Sequence, residues 1–183
     1  MSTRIFFCAD THFSHKALVE KGHRKIPFDE PTIEKHDNMI IERWNDVVCK
    51  NDTVYHLGDF AWHNLAFYRK QLKGRIHLIK GNHDRLKSAD HDLFESVSDF
   101  KRVKVGDQKI YMMHYSLRTW PNSHYGSWAL YGHSHSSLAE DPHALSFDVG
   151  MDCWAFTPIS YEQVKEKMDK KKQDYKPVDH HTP

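Results

Sequence analysis

Five short runs in this 183-residue chain set potential metal ligands and proton carriers side by side: Asp10-Thr11-His12, Gly58-Asp59, Gly81-Asn82-His83-Asp84, His114 after Met113, and Gly132-His133-Ser134-His135. The donors are carboxylate, imidazole and amide, with no thiolate among them. That set suits borderline divalent cations such as Mn, Fe, Co, Ni or Zn, whereas a structural zinc site would favour cysteine. Seven candidate ligands are too many for one ion and suit two ions sharing a bridging carboxylate. Singly, each run occurs by chance in unrelated chains, and most of the sixteen histidines are expected on the surface or in packing. The sum of the runs is what points to chemistry.

Each run follows a stretch that reads as a strand. Residues 4–9, 53–57 and 75–79 are short, mostly apolar segments ending at the first three runs, as buried parallel strands do. Between them, residues 29–48 read as a helix capped by Asp29, with Pro31 in its first turn and Ile33, Ile40, Ile41, Trp44 and Val48 on one face. Residues 64–73 read as a second helix ended by Gly74. Strand, polar loop, helix, strand is α/β grammar, with chemistry gathering at strand C-terminal ends. The second half is richer in strands: 100–105 and 109–113 about a Gly106-Asp107 turn, then 128–131 and 145–149. Ser160 and Gln163 form a capping box for a last helix to about Met168. The expected organisation is one domain over residues 1–170 and a polar, solvated or frayed tail over 171–183. Glycines beside Asp59, Asn82 and His133 are expected to let the backbone turn sharply there.

Bulk properties exclude several classes. Charged residues are 28% and hydrophobic ones 39%, an ordinary globular balance. The net charge of +1 gives no general attraction to nucleic acid or membranes. Cys8, Cys49 and Cys153 are three scattered cysteines without a C-x-x-C pair, which argues against a disulfide framework and fits a reducing compartment. No apolar run is long enough for a signal peptide or a membrane span. A cytoplasmic protein with no membrane or disulfide-linked partner is expected.

The order and spacing of these runs resemble the calcineurin-like metallophosphoesterase superfamily, in particular its small single-domain bacterial and phage-type members. The matching residues extend from residue 8 to about 135 and plausibly to Asp148 and Asp152. The resemblance implies a four-layer α/β/β/α sandwich of two mixed β-sheets flanked by helices. It implies that Asp10, His12 and His135 hold one divalent ion and Asn82, His114 and His133 a second, with Asp59 bridging. It implies that His83 is the catalytic histidine facing the scissile phosphate, with Asp84 orienting or charge-tuning its ring. Elementary electrostatics agrees: two cations about 3.5–4 Å apart need an anionic bridge, and water between them becomes a hydroxide source near neutral pH. An imidazole is a side chain suited to protonating a leaving alkoxide, and His83 supplies one.

Three neighbours are weaker candidates for touching a substrate phosphate: His15, His63 and Arg85. Each reads as well or better as a surface residue; His56, inside a strand, reads as packing. The aromatic stretch 120–128 is either a stacking wall for a flat leaving group or a loop packed on the sheet, and the second reading is preferred. Lys101, Arg102 and Lys104 could edge a nucleic-acid groove or form a solvated strand face. The expected activity is hydrolysis of phosphodiesters of nucleotide-like, short oligonucleotide or other small substrates, with two metal ions as cofactors and Mn the one expected to support activity in vitro. The alternatives are a phosphomonoesterase or nucleotidase, and a non-catalytic protein-binding scaffold of the same fold.

Overall fold

The computed structural model describes residues 3–177. Strands β1 (Ile5–Cys8), β2 (Thr53–His56), β3 (Arg75–Ile79) and β4 (Ser96–Ser98) run parallel. A second sheet follows, with β5 (Phe100–Val105) and β6 (Gln108–Met113) as an antiparallel hairpin, then β7 (Trp128–Tyr131) and β8 (Ser146–Asp148) parallel to β6. The chain returns to the first sheet as β9 (Ile159–Ser160), antiparallel to β1. The sheet orders are therefore β4-β3-β2-β1-β9 and β5-β6-β7-β8. Four helices accompany them: α1 (Lys16–Glu20), α2 (Ile33–Val47), α3 (Leu65–Gln71) and α4 (Tyr161–Lys171). The architecture is α/β, two mixed sheets with flanking helices.

Side-chain alternation along the strands creates two cores. Phe6, Cys8, Val54, Ile76 and Leu78 meet Met39, Ile40 and Trp44 of α2. Phe7, Ala9, Leu57 and Ile79 meet Ile110, Met112, Trp128, Leu130 and Phe147 between the sheets. Trp44 is fully buried and its indole N–H donates to the Lys73 carbonyl at 2.9 Å, tying α2 to the turn before β3. Val164 and Met168 bring α4 into the inter-sheet core. His56 is a packing residue as expected, wholly buried against Thr11 Oγ1 at 3.0 Å. Burial pushes its pKa down to about 3.

Several boundaries differ from the sequence reading. Helix α2 starts at Ile33, and its cap is Thr32, whose side chain accepts from the Lys35 N–H; Pro31 disfavours helical backbone at Glu30, which leaves Asp29 outside. Helix α1 and strands β4 and β9 were not foreseen, because two to five residues are too few to show a period. Arg102 and Lys104 project outward from β5 while Val103 and Val105 face the core, which is the solvated-face arrangement. The start of the tail is not frayed: Tyr175 packs on the inter-sheet core and donates its hydroxyl to the Ser123 carbonyl, and the Lys176 N–H donates to His143 O at 3.0 Å. Residues 178–183, including His180 and His181, lie outside the described residues. Among the described residues no helix is long and apolar enough to cross a membrane, and all three cysteines are free.

Replacing the cap tests the corrected helix start. Thr32→Ala should destabilise the fold by about 1 kcal/mol, a fall of about 2–4 °C in Tm for a chain this size. Asp29→Ala should leave the melting curve in place; the reverse pattern would restore Asp29 as the cap.

Candidate active site

Parallel strands in register deliver their C-terminal ends to one edge. Cys8 lies opposite His56 and His56 opposite Leu78, so the loops carrying Asp10, Asp59 and Asn82 emerge together. Met112 lies opposite Leu130, and Tyr131 opposite Asp148, which gathers the loops of His114, His133 and Asp148 in the second sheet. Backbone bonds stitch the loops to one another. Asp10 N–H donates to Gly58 O, and Gly132 N–H to His114 O, each at 2.9 Å. The two sheets are joined where His133 N–H donates to Asp10 Oδ2 at 2.8 Å, and by a parallel bridge between Ala9 and Gly150.

Five of the seven candidate ligand positions take the left-handed conformation. Asp10 (φ 60°), His12 (48°), Asp59 (56°), His133 (69°) and His135 (46°) all have positive φ, at a cost of about 1–2 kcal/mol each. Backbone in this region is held only where surrounding structure over-determines it, and such positions cluster at functional sites. The expectation that neighbouring glycines supply the turns is corrected at two of the three: Gly81 and Gly132 do not have positive φ. They are required by close approach. A Cβ on Gly81 would lie 2.2 Å from Asp59 Oδ1, and one on Gly132 would lie 2.4 Å from Ala9 Cβ.

These turns assemble two groups of donors. The ligand atoms of Asp10, His12 and His135 lie within 4.8 Å of one another, and so do those of Asp59, His114 and His133. Asp59 Oδ2 connects the groups, 3.6 Å from His12 Nε2 and 3.5 Å from His114 Nε2. Its other oxygen, Oδ1, is held by the His83 backbone N–H at 2.9 Å. Asn82 Oδ1 is 3.1 Å from His114 Nε2, at the second group. Asp10 Oδ1 and His12 Nε2 are buried with no hydrogen-bond partner, and an unsatisfied buried polar atom costs about 1–3 kcal/mol. Oxygen and imidazole donors facing one space, two of them orphaned, fit divalent cations.

The electrostatics carry the same signature. Burial, with Asp148 and Asp59 nearby, pushes the Asp10 carboxyl up to about 7 against the lowering effect of His135 and His114. Burial and the cation of Arg24 hold His12 well below its usual value. For His114 and His135 burial opposes the charged form, yet the carboxylates of Asp59, Asp10 and Asp152 outweigh it and raise both. Protons on these rings therefore compete with cations for the same carboxylates.

Outer groups orient the ligands. His114 Nδ1 is 2.7 Å from the Leu57 carbonyl, so the N–H sits there and Nε2 faces the cluster. His135 Nδ1 is 2.7 Å from Asp152 Oδ2, a carboxylate–histidine pair of the kind that fixes metal-ligating rings. Asp152 is gripped in turn by Arg24, through Nε at 3.0 Å and Nη2 at 2.7 Å. Arg24 also donates to the Asp10 carbonyl at 2.7 Å, and its Nη1 lies 3.0 Å from His36 Nε2. His36 passes its Nδ1–H to Asp37, and Asp37 accepts from Ser14 N–H. One buried network thus runs from α2 to His135.

Of the expected site residues, the seven candidate ligands converge as described. His83 belongs to neither donor group but stands beside them, its Nε2 3.9 Å from Asp59 Oδ2. The Asp84 carboxylate is engaged by backbone and not by the His83 ring: it accepts the N–H groups of Asp59, Phe60 and Gly81, each at 2.8 Å, and so clamps the β2 and β3 loops together. His15 is drawn into the site, 3.2 Å from His12 at Nδ1 and stacked on Trp62 at 4.2 Å. His63 and Arg85 line a neighbouring cavity and not the donor cluster. The 120–128 loop packs on the sheet: Trp128 is buried, Trp120 donates to Ser127, and Tyr125 is exposed beside His124. Sequence reading missed Arg24, Asp152 and Trp62. Asp152 closes the last stretch of the resemblance; Arg24 lies in no motif, and Trp62 follows Asp59 without any pattern that marks it.

A family model for the calcineurin-like phosphoesterase superfamily domain matches residues 4–165, and the chain belongs to that superfamily. An uncharacterised protein of Methanocaldococcus jannaschii is 26% identical, with 92% of this chain and 93% of that protein covered. The gene 66 protein of Mycobacterium phage L5 is 29% identical over 83% of this chain and 88% of its own. Among solved structures, a protein of unknown function from Aquifex aeolicus shares the fold at TM-score 0.68 and 21% identity, covering 91% of this chain and all of its own. An archaeal phosphodiesterase does so at TM-score 0.50 and 23% identity, covering 81% and 84%.

The outer network has a measurable consequence. Asp152→Asn should weaken binding of the metal at the His135 group by about 10–100-fold, read by chelator competition, with a thermal melt to confirm folding. Unchanged affinity in a folded variant would show that the His135 ring needs no carboxylate to orient it.

Proposed function

We propose that this chain is a dinuclear metal-dependent phosphodiesterase acting on nucleotide-like or other small esters. The observation that carries the reading is Asp59 Oδ2, placed within 3.6 Å of one donor group and 3.5 Å of the other. Asp10, His12 and His135 would hold one divalent ion, and Asn82, His114 and His133 the second, with Asp59 common to both. Bound there, the two ions would supply Lewis acidity to phosphoryl oxygens and lower the pKa of water. The donor set admits Mn, Fe, Co, Ni or Zn, and Mn is the ion we would supply first.

The protein's own groups then divide the remaining work. His83 carries the proton: its Nε2 lies 3.9 Å from Asp59 Oδ2 and its side chain is 38% exposed. His12 and His15 crowd its ring, with centroids 5.7 and 5.9 Å away, and Trp62 flanks it at 5.0 Å. The exposed side of His83 leaves room for the second substituent of a diester. The free cysteines support a reducing, cytoplasmic setting.

Two variants test the division. His83→Ala should keep its metal content and lose about 10²–10⁴-fold in turnover, with the larger loss on esters of poorly acidic alcohols. Loss of metal together with activity would make His83 a ligand. Asp59→Asn should lower the content of both ions, measured by elemental analysis; a full complement in that variant would remove the bridge. A Mn²⁺-supplemented panel of bis-p-nitrophenyl phosphate, its monoester, 2′,3′-cyclic nucleotides and single-stranded DNA separates diesterase from monoesterase, and activity on none of them would favour the scaffold alternative.

A further inference from the structure

Beside the donor cluster lies a cavity of about 620 Å³, lined by Trp62, Phe67, His83, Arg85, Lys87 and Asp90 among others. That volume falls within the roughly 300–1,000 Å³ of small-molecule sites. His83 belongs to both the cavity wall and the active-site edge, so the cavity opens where a leaving group protonated by His83 would depart. Two of its side chains present unusual apolar surface for exposed positions: Trp62 is 43% and Phe67 61% exposed. The Trp62 indole is held by stacking, with His15 on it at 4.2 Å and only 9° from parallel. A flat aromatic ring held in place in a cavity wall is a platform for another flat ring.

The cavity also carries charge. Arg85 and Lys87 are exposed cations in its wall. Its carboxylate, Asp90, turns Oδ2 back onto the Lys87 backbone N–H at 2.7 Å. The wall therefore offers an aromatic face and two cations within one nucleotide-sized space. A sugar phosphate would leave the aromatic face unused, and an uncharged aryl group would leave the cations unused. A nucleotide uses both.

We infer that this cavity is a leaving-group subsite for a nucleotide, with the base on Trp62 and a further phosphate met by Arg85 and Lys87. Resting on the phosphodiesterase reading, this makes the substrate an ester whose departing alcohol is itself a phosphorylated nucleoside, as in short oligonucleotides.

The test is equilibrium binding to the full-length, Mn²⁺-loaded protein, with inorganic phosphate, thymidine 5′-monophosphate and thymidine 3′,5′-bisphosphate as probes. Inorganic phosphate reports the metal cluster alone. Trp62→Ala should weaken both nucleotides by about 5- to 100-fold and leave phosphate affinity unchanged, and Trp62→Phe should restore most of the loss. Arg85→Ala combined with Lys87→Ala should abolish the advantage of the bisphosphate over the monophosphate, along with its extra salt sensitivity. Equal losses for phosphate and nucleotides in Trp62→Ala, or no loss for either, would overturn the subsite. Because binding is read without turnover, a protein that binds nucleotides through Trp62 but cleaves no ester would refute the enzymatic reading, and with it the leaving-group role, and leave the cavity standing as a nucleotide-binding site.

Discussion

Asp59 divides its carboxylate between two tasks, and the rest of the site is arranged around that division. Oδ1 is occupied by the His83 backbone N–H, which fixes the β3 loop relative to the β2 loop. Oδ2 is thereby left facing His12 on one side and His114 on the other. Had both oxygens found backbone partners, the two donor groups would have no shared anion. Asp84 makes the division possible by taking the N–H groups of Asp59 and Phe60, so the β2 loop is satisfied without using the Asp59 side chain.

Holding donors this way opposes local stability. Left-handed backbone at five candidate ligands is strained, and a buried carboxyl raised to about 7 and two orphaned polar atoms would be removed by ordinary core-forming residues. The fold sustains them because they emerge from strands buried on both faces, such as β1, where Phe7 and Cys8 have no exposed surface. Rigid strands below and stitched loops above leave the ligand residues little freedom to relax. Arg24 adds a second restraint by joining the Asp10 carbonyl to Asp152 and, through it, to His135, across 128 residues of chain.

The surroundings of His83 differ from those of His114 and His135. Two of the candidate ligand rings are held through one nitrogen: His114 by Leu57 O and His135 by Asp152. The His83 ring instead stands among aromatic neighbours at the mouth of a cavity. A ring bound for coordination needs a fixed tautomer, whereas one that carries a proton needs access. Trp62 and His15 lie where the donor cluster gives way to that cavity.

Most of the strands, the candidate donors that converge and the α/β class were legible in the sequence because each depends on local signals: apolar runs ended by Gly-Asp, Gly-Asn-His-Asp and Gly-His-Ser-His. The capping box at Ser160 and Gln163 was legible for the same reason, since its partners lie three residues apart. What the sequence could not decide depends on contacts between distant segments. Asp84 sits next to His83 in the chain, and adjacency suggested a ring contact; only the packing of the β2 loop shows three backbone N–H groups claiming its carboxylate. Arg24 and Asp152 are separated by 128 residues and share no motif, so their pairing appears only once both sheets are folded. The left-handed backbone of the ligands is likewise a tertiary result, because Asp and His carry no intrinsic demand for it and adopt it here only where the neighbouring loops leave no other path.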